Sequence, residues 1–215
     1  MKHRRTAAAA IATLAATATL VAGSTTQAAI ADDSRAALGK RSLATVLAAD
    51  GNKLDKDWGD FDITEKAVLA VLEAKPNSPV GLLADGTKAA TAFVPTDYAF
   101  RRLVGDLAGK KPGSEYTTFK AVAGLGIDTV EAVLLYHVVP GKTLVSEKVV
   151  AARGTRVKTA GGSVRVVINH EGVIRLADND PNDINARVLP ELLDLNRGNR
   201  QVAHGLRQVL RPADL

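Results

Sequence analysis
Apolar positions along the chain keep helical spacing up to about Leu135 and switch to alternation from Thr143 onward. Leu43, Val46 and Leu47 predict a helix over 40–49. Ala67, Val68, Val71 and Leu72 predict a second, from Asp62 to about Lys75, opened by the acidic capping-box spacing Asp62-Ile63-Thr64-Glu65. Pro76 to Pro79 break it, and Val80 to Ala84 add a helical turn. Thr91 to Pro95 read as a strand ended by proline, after which Thr96 can cap a helix with Phe100, Leu103, Val104 and Leu107 on one face. Ser114 caps a further helix with Phe119 and Val122 inward, and Asp128 to Glu131 repeat the acidic box ahead of Val130, Val133 and Leu134. Tyr136 to Val139 read as a strand.

Strands over 155–159, 163–168 and 173–176, joined by Gly161-Gly162 and His170-Glu171-Gly172 turns, form an antiparallel meander. A last strand or two follows between Arg200 and Leu210. Helices first and a meander afterwards, without βαβ alternation, predict an α+β domain with several helices packed on one side of antiparallel sheets.

The formal charge of +5, from 28 Lys+Arg against 23 Asp+Glu, first suggests an anionic partner. Its location changes that reading. Lys2, Arg4 and Arg5 precede an uncharged Ala/Thr-rich stretch over 6–23 and the small residues Ala28 to Ala31, the layout of a secretory signal peptide over 1–31. Cleavage after Ala28 or Ala31 removes three bases and no acid, leaving 25 against 23, or +2. A retained N-terminal anchor is the other reading of this segment. With only 4% aromatic residues as well, neither nucleic acid nor an anionic membrane is an expected partner, and the membrane enters only through export. Cysteine is absent, which removes disulfides, thiolate metal sites and a cysteine nucleophile.

No nucleophile elbow, metalloprotease helix, phosphate loop or dinucleotide fingerprint occurs, so no catalytic set and no cofactor are expected. His137 and His204, without cysteine or close histidine spacing, predict no zinc site. The acidic stretches Asp55 to Asp60 and Asp178 to Asn182 supply part of a calcium-type alternation, but neither has the central Gly and terminal Glu of an EF-hand loop. Both are read as solvated turns. Trp58, in the first of them, is either an exposed contact residue or part of a lid packed over the sheet.

Three ordered segments carry a family resemblance. Thr91-Ala92-Phe93-Val94-Pro95-Thr96-Asp97-Tyr98-Ala99-Phe100, Leu134-Leu135-Tyr136-His137-Val138-Val139-Pro140-Gly141 and Gln201 to Pro212 resemble the opening, Tyr-His and closing boxes of the fasciclin (FAS1) family. Together they cover about 62–215, with 32–61 as an added helix and loop ahead of them. The resemblance implies a FAS1-like wedge or sandwich and an adhesive, non-enzymatic role toward a surface or matrix protein or a cell-wall glycan. It places partner-binding elements at Tyr136, His137, Asp194, Leu195 and His204. Asp194-Leu195 matches the adhesive dipeptide of animal members one residue out of register. The closing box also departs from the family pattern at Arg200, Gln201 and Arg207.

For His137 and His204 a second reading stands beside this one: buried rings tied to backbone carbonyls, with Tyr136 packed on the core. Two other functions remain open, an extracellular carrier holding a small molecule or lipid between sheet and helices, and a hydrolase using His137 or His204 with a nearby acid. Oligomeric state is not legible.

Overall fold
The computed structural model describes residues 37–51 and 53–213; the expected signal segment 1–31 lies outside them. Its helical half opens with α1 (Leu43–Leu47), whose first turn is capped by the Ser42 hydroxyl accepting the Thr45 amide, and a short 3₁₀ turn over Ala48–Asp50. Next come α2 (Asp62–Ala74), a 3₁₀ turn over Pro79–Ala84, β1 (Ala90–Pro95), α3 (Asp97–Ala108), α4 (Glu115–Ala123), α5 (Ile127–Tyr136) and β2 (Val138–Pro140). The second half contains α6 (Ser146–Ala151), β3 (Arg156–Thr159), β4 (Gly162–Ile168), β5 (Ile174–Ala177), β6 (Ala186–Arg187), a 3₁₀ turn over Pro190–Leu192 and β7 (Gln201–Leu206). Among the described residues no helix is long and apolar enough to cross a membrane.

β3-β4-β5-β6 is the expected antiparallel meander. The other sheet, β2-β1-β7, is mixed, because β7 runs parallel to β1 with Ala92 opposite Ala203 and Phe93 opposite His204. Alternation along β1 then sends its side chains to two cores. Ala92 and Val94 join Leu43, Ile63, Val71, Phe100 and Leu134 in the helical core, while Phe93 joins Tyr136, Val164, Val166, Leu176 and Leu206 in the core facing the meander. The α+β architecture holds, with the mixed sheet as its middle layer.

Local differences from the sequence reading have identifiable causes. The strand expected over 136–139 is shorter, since Tyr136 ends α5 and His137 is its C-cap. α6 lies where alternation was expected; with Val149 its one buried residue, it is too short to show a period. Neither acid expected to open a capping box holds the N-cap position. Phe61 and Gly126 hold the N-cap positions, placing Asp62 and Asp128 inside their helices. Asp128 and Glu131 instead clamp the Lys75 ammonium at the end of α2. The box at Ser114 does form, with Thr117 as its reciprocal partner.

Residues 38–60, which precede the family boxes, belong to the same compact unit as the rest, Leu38–Leu215. Leu43 is fully buried, and its amide donates to the Gln201 Oε1 at 2.8 Å. The Gln201 amide in turn donates to the Leu82 and Asp85 carbonyls, so one buried side chain joins β7, α1 and the 79–84 turn.

Candidate functional site
Tyr136, His137 and His204 are interior residues, each 3% exposed or less. The Tyr136 hydroxyl donates to the Ser163 carbonyl at 2.8 Å, and the Gly161-Gly162 turn lies against its backbone and ring, leaving no room for a Cβ at either position. Tyr136 thus fastens the β3–β4 hairpin to the end of α5.

His137 faces the other way. Its Nε2 accepts the Leu210 amide at 2.9 Å, which leaves the proton on Nδ1 to donate to the Val133 carbonyl at 2.7 Å. His204 uses the opposite tautomer: Nδ1 accepts the Asp194 amide at 3.2 Å and Nε2 donates to the Leu144 carbonyl at 2.7 Å. All four ring nitrogens are engaged with backbone, and burial lowers both pKa values, that of His137 to about 4.

Asp194 is also committed. Its carboxylate accepts the amide and hydroxyl of Ser146 at the start of α6 and is paired with Arg197 at 2.9 Å. Burial alone would raise this carboxyl, but the Ser146 bonds outweigh it and hold the pKa below the ordinary value. Asp194 itself sits at φ +55, in the left-handed region, which lets the chain reverse there. Of the five residues singled out from the resemblance, four are therefore used inside the fold. The side chains of Tyr136 and His137 that were expected to face a partner are turned inward.

Leu195, the fifth, leads to the surface. It lines a groove of about 370 Å³ with Val46, Leu47, Asp57, Gly59, Phe61 and Leu192. Gly59 and Leu192 also line an adjoining groove of about 330 Å³, whose other walls are Trp58, Thr96, Tyr98, Leu189, Glu191 and Arg207. Trp58 is half-buried. The Arg101 guanidinium lies 4.5 Å from the Trp58 ring centroid and that of Arg207 4.9 Å from the Tyr98 ring, so both aromatics are held by stacked cations. A third pocket, between α2, α4 and α5, holds only about 100 Å³. The aromatic groove was missed in the sequence because its walls come from four segments; Trp58 was its one visible sign.

Asp60, which also lines the groove of about 370 Å³, belongs to a cluster of acids. Oxygens of Asp60, Asp62 and Asp97 come within 4.8 Å of one another. Asp97, the first residue of α3, accepts the Ile63 amide at 3.0 Å and so takes the capping role that Asp62 was expected to fill for α2. Glu115, the first residue of α4, accepts the Asp55 amide. Burial, with help from the neighbouring carboxylates, pushes Asp60 up to about 7. Burial likewise pushes Asp97 up to about 8, against the opposing pull of the Ile63 bond, and raises Glu115.

A fasciclin domain model matches residues 68–212. The fold is also similar to a solved FAS1 domain pair from the insect cell adhesion molecule fasciclin I, at 17% identity and a TM-score of 0.50. That alignment covers 73% of this chain and 48% of the other, so the chain spans about half the length of that structure. No curated protein matches.

Proposed function
The chain belongs to the fasciclin domain family, and from that premise we propose that it is a secreted binding module, attaching to a surface or matrix protein or a cell-wall glycan without catalysing a reaction. Domains of this family occur in secreted and cell-surface proteins. The observation that carries the reading is the groove walled by Trp58, Tyr98, Leu192 and Arg207. Trp, Tyr and Arg are the residue types that dominate binding hot spots, because they combine large apolar area with a polar tip. Here the stacked guanidinium groups hold both rings in place before any partner arrives, which lowers the ordering cost of binding.

The two other readings have less to draw on. A hydrolase would need a histidine with a free ring nitrogen, whereas those of His137 and His204 are all engaged. A carrier would need an enclosed site of roughly 300 Å³ or more, and the pocket among the helices holds about 100 Å³.

The test is a binding assay of the chain without residues 1–31 against isolated surface and wall fractions. Trp58→Ala and Arg207→Glu are each expected to weaken retention at least tenfold with unchanged circular dichroism. Full retention by both variants would refute the groove as the contact face.

A further inference from the structure
The two acidic loops of this chain are neutralised differently. In the loop over 178–183, the buried Arg211 guanidinium reaches Asp180 at 3.0 Å and Asp183 at 3.5 Å, and its backbone amide donates to Asp178 at 2.8 Å. Arg211, from the segment after β7, thus supplies that loop's counterion. The loop over 55–60 folds against the first turns of α2, α3 and α4, each of which begins with an acid: Asp62, Asp97 and Glu115. Among the described residues no Lys or Arg side chain forms an ion pair with Asp60, Asp97 or Glu115.

Two oxygens in this place stand out independently of the clustering. Asp97 is fully buried; Oδ1 accepts the Ile63 amide, while Oδ2 has no hydrogen-bond partner. Glu115 is also fully buried; Oε2 accepts the Asp55 amide, while Oε1 has none. A buried carboxylate oxygen without a partner loses its hydration and gains nothing in return. A proton can relieve one such group. It cannot draw in acids from four separate elements, as a multivalent cation does.

We propose that Asp60, Asp62 and Asp97, with Glu115 beside them, bind a divalent cation, calcium in preference to magnesium. The donors are all oxygen, the choice of a hard ion. They come from a loop and three helix starts rather than from a symmetric cage, which suits the irregular coordination of calcium better than the strict octahedron of magnesium. Asp60 is half-buried, so water can complete the shell from the groove side. Asp60 also lines the groove of about 370 Å³, but the site is tested without any partner.

The experiment is calorimetric titration of the metal-free full chain with Ca²⁺ and with Mg²⁺, alongside thermal unfolding in Ca²⁺ and in chelator. One Ca²⁺ per chain is expected, with a dissociation constant between about 10⁻⁶ and 10⁻³ M, Mg²⁺ at least tenfold weaker, and a higher melting temperature in Ca²⁺. Asp97→Asn and Glu115→Gln keep the acceptors for the Ile63 and Asp55 amides but remove charge. Each is expected to weaken Ca²⁺ at least tenfold while melting no lower than the parent in chelator. Asp183→Asn, in the loop served by Arg211, is expected to change nothing. Should Asp97→Asn fail to fold, Asp60→Asn takes its place. No Ca²⁺ binding by the parent, undiminished binding by the cluster variants, or loss of binding in Asp183→Asn overturns the site. Tighter binding of Mg²⁺ overturns the choice of ion.

Discussion

The main-chain carbonyl of Trp58 accepts the amide proton of Tyr98 at 2.9 Å. Two residues on, the Asp60 carbonyl accepts the Asp97 amide at 3.0 Å. The first amides of α3 are therefore capped by the preceding loop, and Thr96, at the N-cap position, is freed to donate its hydroxyl to the Leu206 carbonyl. One pair of backbone bonds thus sets the groove's aromatic wall, the start of α3 and the position of the acid cluster.

A chain that starts at Asp62 loses these caps and exposes the pockets left by Leu43 and Leu47. Burial of two leucines is worth about 3 to 6 kcal/mol and the lost caps about 1 more. A protein starting at Leu38 is expected to unfold cooperatively in urea, and one starting at Asp62 to be several kcal/mol less stable or unfolded. Equal midpoints would show that 38–60 is dispensable to the fold.

Gln201→Leu keeps the bulk but orphans the buried Leu43 amide, while the Leu82 and Asp85 carbonyls keep the Asp85 and Lys88 amides as donors. The cost expected is about 1 to 3 kcal/mol, read from denaturant midpoints, since one orphaned buried amide carries a penalty of that order. A loss under about 0.5 kcal/mol, the scatter of ordinary surface changes, would mean that this side chain does not hold α1.

His137 is neutral in the fold, with its pKa lowered by burial from 6.5 to about 4. The unfolded chain therefore binds the extra proton between those values. The stability this residue contributes is full above pH 6.5 and is lost as pH falls toward 4, by roughly 3 kcal/mol. Asp60 and Asp97, raised in the fold, pull the other way over their own range in parent and variant alike. The clean reading is the stability gap between the parent and His137→Phe, expected to narrow from pH 7 to pH 4. A constant gap would mean that the ring is not held neutral.

Gly205→Ala would place a Cβ 2.6 Å from the Leu192 Cβ, an atom too close to its own backbone to swing away. Because Leu192 lines both grooves, the 190–192 turn has to shift. A stability loss of about 1 to 3 kcal/mol together with weaker partner binding is expected, from melting and retention assays on the same preparation.

Periodicity made α3 and the meander legible, since each buries one face over several residues, whereas β1, buried on both faces, showed as a short apolar run ended by Pro95. Periodicity did not reveal that β7 pairs in parallel with β1, because alternation specifies a strand and not its neighbour. Tyr136 and His137 were legible as a pair but not in their roles, which depend on Ser163 and Leu210, brought close only by the fold. The sequence showed only the Asp55 to Asp60 part of the acid cluster, because Asp62 and Asp97 join Asp60 from separate helix starts. The departure at Gln201 gains meaning once Leu43 lies against it.

Amide hydrogen exchange of the chain with and without bound surface or wall material tests the central claim most directly. A binding module of the kind described should show protection confined to 46–49, 57–61, 96–98, 189–195 and 207, the segments that wall the two grooves. Protection centred instead on Glu171 to Ile174 and Arg187, which wall a separate pocket, or no protection beside demonstrable retention, would contradict it.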